Sequence, residues 1–117
     1  MLGLDTQGPQ IFEDLERFVR RSGLTEVQVT VLTPFPGTAL YRRLAAEGRL
    51  LHDGEWDRCT LFDVTYQPRQ MTVAQLEDGL AALMGSLYTP QETGRRKRLF
   101  ARARRAWRAQ RAHGEAA

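Results

Sequence analysis

The densest group of side chains that could bind a metal ion lies between residues 52 and 63 and consists of His52, Asp53, Glu55, Asp57, Cys59 and Asp63. Their spacing matches neither a zinc site, nor an EF-hand loop, nor a two-histidine-one-carboxylate site. Cys59 has no neighbouring base in the sequence, so its thiol is expected to be inert rather than nucleophilic. We therefore predict no metal site and no catalytic residue here, and we interpret this segment as a polar connection.

A second group of candidates lies where two predicted parallel strands end, and it consists of Gly3, Asp5, Thr6, Thr33 and Pro34. Parallel strands bind ligands beyond their carboxyl ends, where the loops converge. Asp5 and Thr6 could accept hydrogen bonds from a ribose or an amine, and Gly3 would let the backbone approach a ligand closely. The backbone at Thr33 and Pro34 could flank an adenine. The alternative is that Asp5 and Thr6 only cap the helix that begins near Pro9.

The elements that position these candidates follow from hydrophobic spacing. Val27, Val29 and Val31 alternate with polar residues, which predicts a half-buried strand. The segment TPFPG at residues 33–37 ends that strand, because proline removes backbone donors and glycine permits positive φ. A helix capped by Thr38 should then run to about Gly48.

The first 23 residues complete the predicted unit. Residues 1–4 have the pattern of the end of a strand, and Pro9 suits the first turn of a helix that Gly23 should end. Its predicted buried face consists of Ile11, Leu15, Phe18 and Val19. Strand, helix and strand together predict a βαβ unit with parallel strands and a right-handed crossover.

The second half of the chain is predicted to be mainly helical. Thr72 and Gln75 form a capping box ahead of an apolar stripe made of Leu76, Leu80, Leu83, Met84 and Leu87. Gly79 weakens this helix, and a close helix contact would explain its presence. Thr89 and Glu92 form a second capping box, which should start a new helix at a bend.

The last helix concentrates the positive charge of the protein. Residues 92–117 carry 9 Lys and Arg against 2 Asp and Glu, whereas residues 1–91 carry 8 against 12. A narrow apolar face accompanies the charge and consists of Leu99, Phe100, Ala103, Ala106 and Trp107. One interpretation is an arm that contacts nucleic acid or an anionic membrane. The other is a solvated helix that rests this stripe on the body of the protein.

Length and cysteine content narrow the class of protein. With 117 residues the chain has the size of one small domain, and its single cysteine, Cys59, excludes an intramolecular disulfide and any site built from several cysteines of one chain. A reducing, cytoplasmic setting is expected. No apolar run reaches the roughly 20 residues that span a bilayer, so no transmembrane segment is expected.

Three runs of the sequence resemble consecutive parts of one enzyme family. MLGLDTQGPQIFEDLERFVRRSG at residues 1–23 and PFPGTALYRRLAAEGRLL at residues 34–51 resemble the end of the radical SAM core in enzymes that carry a cobalamin-binding domain ahead of that core, hopanoid methylases among them. GEWDRCTLFDVTYQPRQMTVAQLEDGL at residues 54–80 resembles the small domain of unknown function that follows the core. The resemblance covers about residues 1–92, and the order and spacing of the runs make it specific.

The resemblance implies a fold and a function. The fold is α/β: a βαβ fragment of a partial TIM-type barrel at residues 1–49, followed by a mainly α-helical C-terminal cap at residues 50–90 and a basic helical tail at residues 91–117. The family cleaves S-adenosylmethionine to a 5′-deoxyadenosyl radical, with a [4Fe–4S] cluster and cobalamin as cofactors, for methyl transfer or rearrangement. The group of Gly3, Asp5, Thr6, Thr33 and Pro34 would form one wall of the S-adenosylmethionine pocket.

One motif of the family is missing from this sequence. The cluster needs three cysteines in a CxxxCxxC loop, and the chain has one cysteine. We therefore predict a fragment or subunit that is inactive alone and that needs the preceding radical SAM and cobalamin-binding part, in cis or as a separate chain. The competing hypothesis is a noncatalytic module that binds nucleic acid or an anionic membrane through the basic helix.

Overall fold

Helices are the regular elements of the fold. The computed structural model describes residues 1–52 and 54–116. In chain order it contains α1 (Ile11–Ser22), α2 (Ala39–Ala46), a short 3-10 helix (Trp56–Arg58), α3 (Val73–Leu87) and α4 (Pro90–Ala116). Within these described residues no strand forms, and the extended segments meet only in isolated bridges, one parallel between Leu2 and Val31 and one antiparallel between Leu50 and Tyr66.

The predicted α/β fold, a βαβ fragment of a partial barrel, is therefore wrong. The parallel bridge consists of two backbone hydrogen bonds of 2.8 Å, which join Leu2 to Thr30 and Leu32. It does not grow into a ladder, because the next bond would need the Leu4 amide to donate to the Leu32 carbonyl oxygen, whereas this amide donates to Gln7 Oε1 at 3.2 Å. Pro34 has no amide hydrogen for the bond that would follow.

The alternating burial predicted for the valines is nevertheless present. Val29 and Val31 are buried, Thr30 between them is half-buried, and Gln28 before them is exposed. An extended chain turns successive side chains to opposite sides whether or not a neighbouring strand pairs with it. Periodicity therefore identified an extended, half-buried segment correctly, but it carried no information about the missing ladder.

One hydrophobic core joins the extended segments to α3. The buried members are Leu2, Val19, Val29, Val31, Leu44, Val64, Tyr66, Met71, Leu76, Leu80, Leu83 and Leu87. The four leucines of α3 confirm its predicted stripe, whereas Met84 is 38% exposed. Burial of each leucine stabilises the fold by about 1.5–3 kcal/mol before chain entropy is counted, so α3 is the main support of the core.

Three predicted caps are confirmed. Thr38 accepts a hydrogen bond from the Tyr41 amide at the start of α2, and Thr72 and Gln75 form the predicted capping box of α3. At the end of α2, Gly48 adopts a φ of 68°, with its amide and that of Arg49 bonded back into the helix at 3.1 and 2.9 Å. This pattern is a Schellman motif, which ends the helix sharply.

The start of α1 differs from the prediction. Its N-cap residue is Gln10, which makes no capping hydrogen bond through its side chain. The alternative role of Asp5 and Thr6 as caps of this helix is therefore wrong. Phe18, predicted to be buried, is 61% exposed.

The contact of α1 with α3 depends on Gly79. A Cβ atom at this position would lie 2.2 Å from Cζ of Phe12. The aromatic ring therefore occupies the space that any larger residue would need, which confirms a close helix contact as the reason for this glycine.

The long helix α4 projects from the body. The molecule measures 62 × 29 × 25 Å and has a radius of gyration of 19.0 Å, whereas a compact chain of this length would have about 13 Å. Glu92 and Arg96 are buried at the root of α4, but Phe100 and Trp107 are 44% and 55% exposed. The stripe therefore does not rest on the body beyond the root. No helix among residues 1–52 and 54–116 is long and apolar enough to cross a membrane.

Candidate functional site

The candidate residues lie on either side of the Leu2–Val31 bridge. Gly3 directly follows Leu2, and Thr33 follows Val31 by two positions, so the bridge brings both loops to the same end of the paired segments. The expected convergence of the two loops is thus present without a sheet. Their side chains, however, make contacts that sequence reasoning did not anticipate.

Gly3 is contacted closely by Tyr66. The buried Tyr66 hydroxyl donates a hydrogen bond to the Gly3 carbonyl oxygen at 2.5 Å. Gly3 has a φ of 89°, and a Cβ atom there would lie 2.0 Å from the Tyr66 hydroxyl oxygen. Approach of a ligand to Gly3 therefore stays a prediction, and the group that the structure places next to this glycine is a side chain of the same protein.

Asp5 is held by three arginines. Its carboxylate lies 2.8 Å from Nη2 of Arg49, 3.3 Å from Nη2 of Arg43 and 4.0 Å from Nε of Arg69. The hydrogen bond from Arg49 is the main cause that holds the pKa of Asp5 below its usual value, and burial opposes it. Asp5 also anchors its loop through the backbone, since its carbonyl oxygen accepts a hydrogen bond from Gln70 at 2.8 Å.

Arg49 is the centre of this charge network. It donates to Asp5 at 2.8 Å, to Glu47 at 2.7 Å and to the Gln67 carbonyl oxygen at 2.9 Å. These contacts raise the pKa of Arg49, with the hydrogen bond to Asp5 as the largest cause. The arginine thereby connects the first loop, the end of α2 and the segment ahead of α3.

The other candidates lie apart from this network. Thr33 is buried, and its hydroxyl donates to the Val31 carbonyl oxygen at 3.2 Å. Thr6 is exposed. Pro34 lines a cavity of about 10 Å³ together with Tyr41, Leu50, His52, Glu55, Trp56, Cys59 and Thr65. This volume is close to the minimum that holds one water molecule.

Thr65 gives this cavity a polar character. Its buried hydroxyl has no hydrogen-bond partner, so one water molecule in the cavity would satisfy it. His52, Glu55 and Cys59 from the predicted polar segment border the same cavity. Among the described residues, no group of three or more His, Cys, Asp or Glu side chains could hold a metal ion. Asp53, also named in that segment, lies outside the described residues.

Sequence reasoning missed Tyr66 and Arg49, which organise the site. Tyr66 acts on a residue 63 positions away, and Arg49 pairs with an aspartate 44 positions away. No local spacing carries a signal for contacts of such sequence separation. The one available signal was glycine at position 3, because a residue without a Cβ atom leaves room for a close neighbour.

Comparison with known proteins covers the later part of the chain best. Residues 38–117 match a family described as Domain of unknown function (DUF4070). The chain is also similar to a hopanoid C-2 methylase from Rhodopseudomonas palustris (strain TIE-1), with 35% identity over 81 residues. That stretch is 69% of this chain but only 15% of the methylase. No solved structure matches the chain.

Proposed function

The chain belongs to the DUF4070 family, domains found at the C-terminus of cobalamin-binding radical SAM enzymes, and we propose that it serves as the C-terminal domain or subunit of such an enzyme. The observation that carries the proposal is the similarity to the hopanoid C-2 methylase. The intact enzyme would cleave S-adenosylmethionine reductively and then methylate or rearrange an unactivated carbon, within the cytoplasm.

The residues of this chain do not fit a [4Fe–4S] cluster. Such a cluster is held by several cysteine thiolates, and Cys59 is the one cysteine of the sequence. The cluster would therefore be bound by a preceding part of the enzyme, supplied in cis or as a separate chain, and the resemblance implies that this part also binds cobalamin. Isolated, the chain is expected to be inactive.

The proposed contribution of this chain is one wall of the S-adenosylmethionine pocket, formed by Gly3, Asp5, Thr6, Thr33 and Pro34. The Gly3 carbonyl oxygen and the Asp5 carboxylate already bind Tyr66 and Arg49. Contacts to the ligand would therefore come chiefly from backbone and apolar surface. Tyr66 and Arg49 would act as positioning residues that fix the first loop.

A chimera tests this proposal. The matching segment of the Rhodopseudomonas methylase is replaced by this chain, and formation of 5′-deoxyadenosine from S-adenosylmethionine is measured under reducing conditions. The chimera is expected to form the product, whereas the methylase that lacks the segment and the isolated chain treated with iron and sulfide are expected to form none.

Two results would contradict the proposal. One is product formation by the isolated chain, because that would require a cluster site within these 117 residues. The other is a chimera that carries its cluster, as judged by absorbance, and yet performs no better than the methylase without the segment.

A further inference from the structure

The exposed apolar face of α4 continues the face that packs at its root. Glu92 and Arg96 are the buried residues of α4, and Ala103 and Trp107 follow Arg96 by seven and eleven positions. Residues at these intervals lie on one side of a helix. Where α4 extends past the body, this same side is uncovered, and Trp107 is 55% exposed.

Most cations of α4 lie away from this face. Beyond the root, residues 97–116 contain seven Lys and Arg, and helical spacing places five of them on the opposite half of the helix: Lys97, Arg98, Arg102, Arg105 and Arg108. Arg104 lies at the margin of the stripe, and the Arg111 guanidinium stacks over the Trp107 ring, 5.0 Å from its centroid. The surface that covers the stripe must therefore be apolar at its centre and acidic at its margin.

The outer face of α3 has this complementary chemistry. The buried leucines of α3 leave a second side exposed, formed by Ala74, Glu77, Asp78, Ala81, Ala82, Met84, Gly85 and Tyr88. Its charged members are both acidic, and no charged residue follows Asp78 within the helix. The part of α3 after Asp78 carries no charge on any side. A helix segment of this kind is normally buried on all sides, so this face too lacks a cover.

We propose that the protein forms a two-fold symmetric dimer in which α4 of each copy packs on the outer face of α3 of the other copy. Each chain carries both contacting surfaces, the stripe of α4 and the outer face of α3. A two-fold axis therefore forms both contacts at once, and no unpaired surface remains to bind a third copy. A specific interface buries at least about 1,200 Å², and the symmetric pair of contacts supplies twice the area of one. This inference does not depend on the proposed enzyme function.

A membrane, a nucleic acid and a second α4 helix each fit the stripe of α4 less well than the outer face of α3. A membrane would have to lie on the side of α4 that faces the body, and the body would then collide with it. Nucleic acid would use the cations but would leave both apolar faces exposed. Direct pairing of the two α4 helices would bring their arginines together and cost repulsion.

Sedimentation and light scattering of the full chain test the dimer. The mass is expected to be twice 13.3 kDa. Trp107→Asp and Met84→Asp, on the two sides of the contact, should each raise the dissociation constant more than about tenfold. Glu77→Lys combined with Asp78→Lys, and added salt, should raise it as well. The matched control is Phe18→Asp, since Phe18 is more exposed than Trp107 and Met84 but lies on α1.

The outcomes separate dimerisation from other binding. A wild-type chain that stays monomeric at about 0.1 mM, or a dimer that resists both single substitutions while circular dichroism shows a folded protein, would overturn the proposal. So would binding to anionic phosphatidylglycerol vesicles, or to a 20-nucleotide RNA, that requires Trp107 while the chain remains monomeric. Since none of these measurements involves S-adenosylmethionine, failure here leaves the chimera experiment unaffected.

Discussion

The Tyr66 hydroxyl donates a 2.5 Å hydrogen bond to the Gly3 carbonyl oxygen, across 63 positions of sequence. Burial raises the pKa of Tyr66 to about 12, so the phenol stays protonated and keeps donating throughout the range in which proteins are studied. This bond fastens the first residues of the chain to the segment that leads into α3. It therefore stabilises the fold and also fixes the loop that carries Asp5.

Tyr66→Phe should lower the free energy of unfolding by about 1–3 kcal/mol, because it leaves a buried carbonyl oxygen without a partner. Urea unfolding monitored by circular dichroism measures the change. The matched control is Tyr88→Phe, which removes the hydroxyl that bonds the Val27 carbonyl oxygen and the Val29 amide. Tyr88 is 40% exposed, so water can replace its hydroxyl; a loss in the control as large as that for Tyr66→Phe would contradict this account.

Gly3→Ala should destabilise the fold more than Gly23→Ala. Both glycines have positive φ, but a Cβ atom at Gly3 would lie 2.0 Å from the Tyr66 hydroxyl oxygen, whereas none lies within 4 Å at Gly23. The Gly23 variant measures only the cost of placing an alanine at positive φ, which is about 1–2 kcal/mol. Combining Gly3→Ala with Tyr66→Phe removes the closest atom, so thermal unfolding should show the double variant to be more stable than the sum of single effects predicts.

Substitutions at two glycines of α3 should have opposite signs. Gly85→Ala should stabilise the protein by about 1 kcal/mol, because alanine is the better helix former and no atom lies near its Cβ. Gly79→Ala should destabilise it, because the Cβ would lie 2.2–2.4 Å from ring atoms of Phe12. The melting temperatures of the two variants are compared with that of the wild type. A Gly79→Ala variant that melts above the wild type would contradict this prediction, because it would show that the Phe12 ring moves aside freely.

Acid should weaken the attachment of the first loop. The folded-state pKa of Asp5 lies below its ordinary value of 3.8, so its ion pair with Arg49 contributes stability above that value and loses it as the pH falls through the folded-state pKa. Asp5→Asn should lower the free energy of unfolding by about 1.5 kcal/mol at neutral pH and flatten its dependence on acid below about pH 4.

Asp57→Asn is the control for this acid effect, because Asp57 is an exposed carboxylate of the polar segment. It should leave the stability nearly unchanged at every pH. Urea titrations at a series of pH values compare the three proteins. If Asp5→Asn and the wild type lose stability in parallel between about pH 5 and pH 2, then the Asp5 ion pair does not contribute to acid sensitivity.

Local patterns predicted the helices and their caps, because capping and hydrophobic stripes involve residues within one or two turns. Thr38, Thr72 and the leucines of α3 were found in this way. The missing ladder was not predicted, because it depends on the Gln7 side chain binding the Leu4 amide, a contact that the valine pattern does not report. Valine alternation is the same for an extended segment with or without a paired neighbour.

Long-range pairing also explains what was missed in the candidate site. The sequence predicts Asp5 as a hydrogen-bond acceptor for a ligand or for a helix start, but its carboxylate binds arginines that lie at least 38 positions further along the chain. Charge alone does not identify such partners. Gly3 is the one residue of the site whose type indicates a close contact, because glycine leaves room for a neighbouring atom. The residue type does not identify that neighbour.

The two polar backbone groups of Gly3 are both occupied by side chains, the amide by Gln7 and the carbonyl by Tyr66. Unpaired backbone groups of this kind on an extended segment are what a foreign chain uses to add itself and to begin aggregation. The hydrogen bonds to Gly3 therefore prevent this segment from pairing with the backbone of another chain. That protection would be lost together with the tyrosine hydroxyl or the glutamine amide.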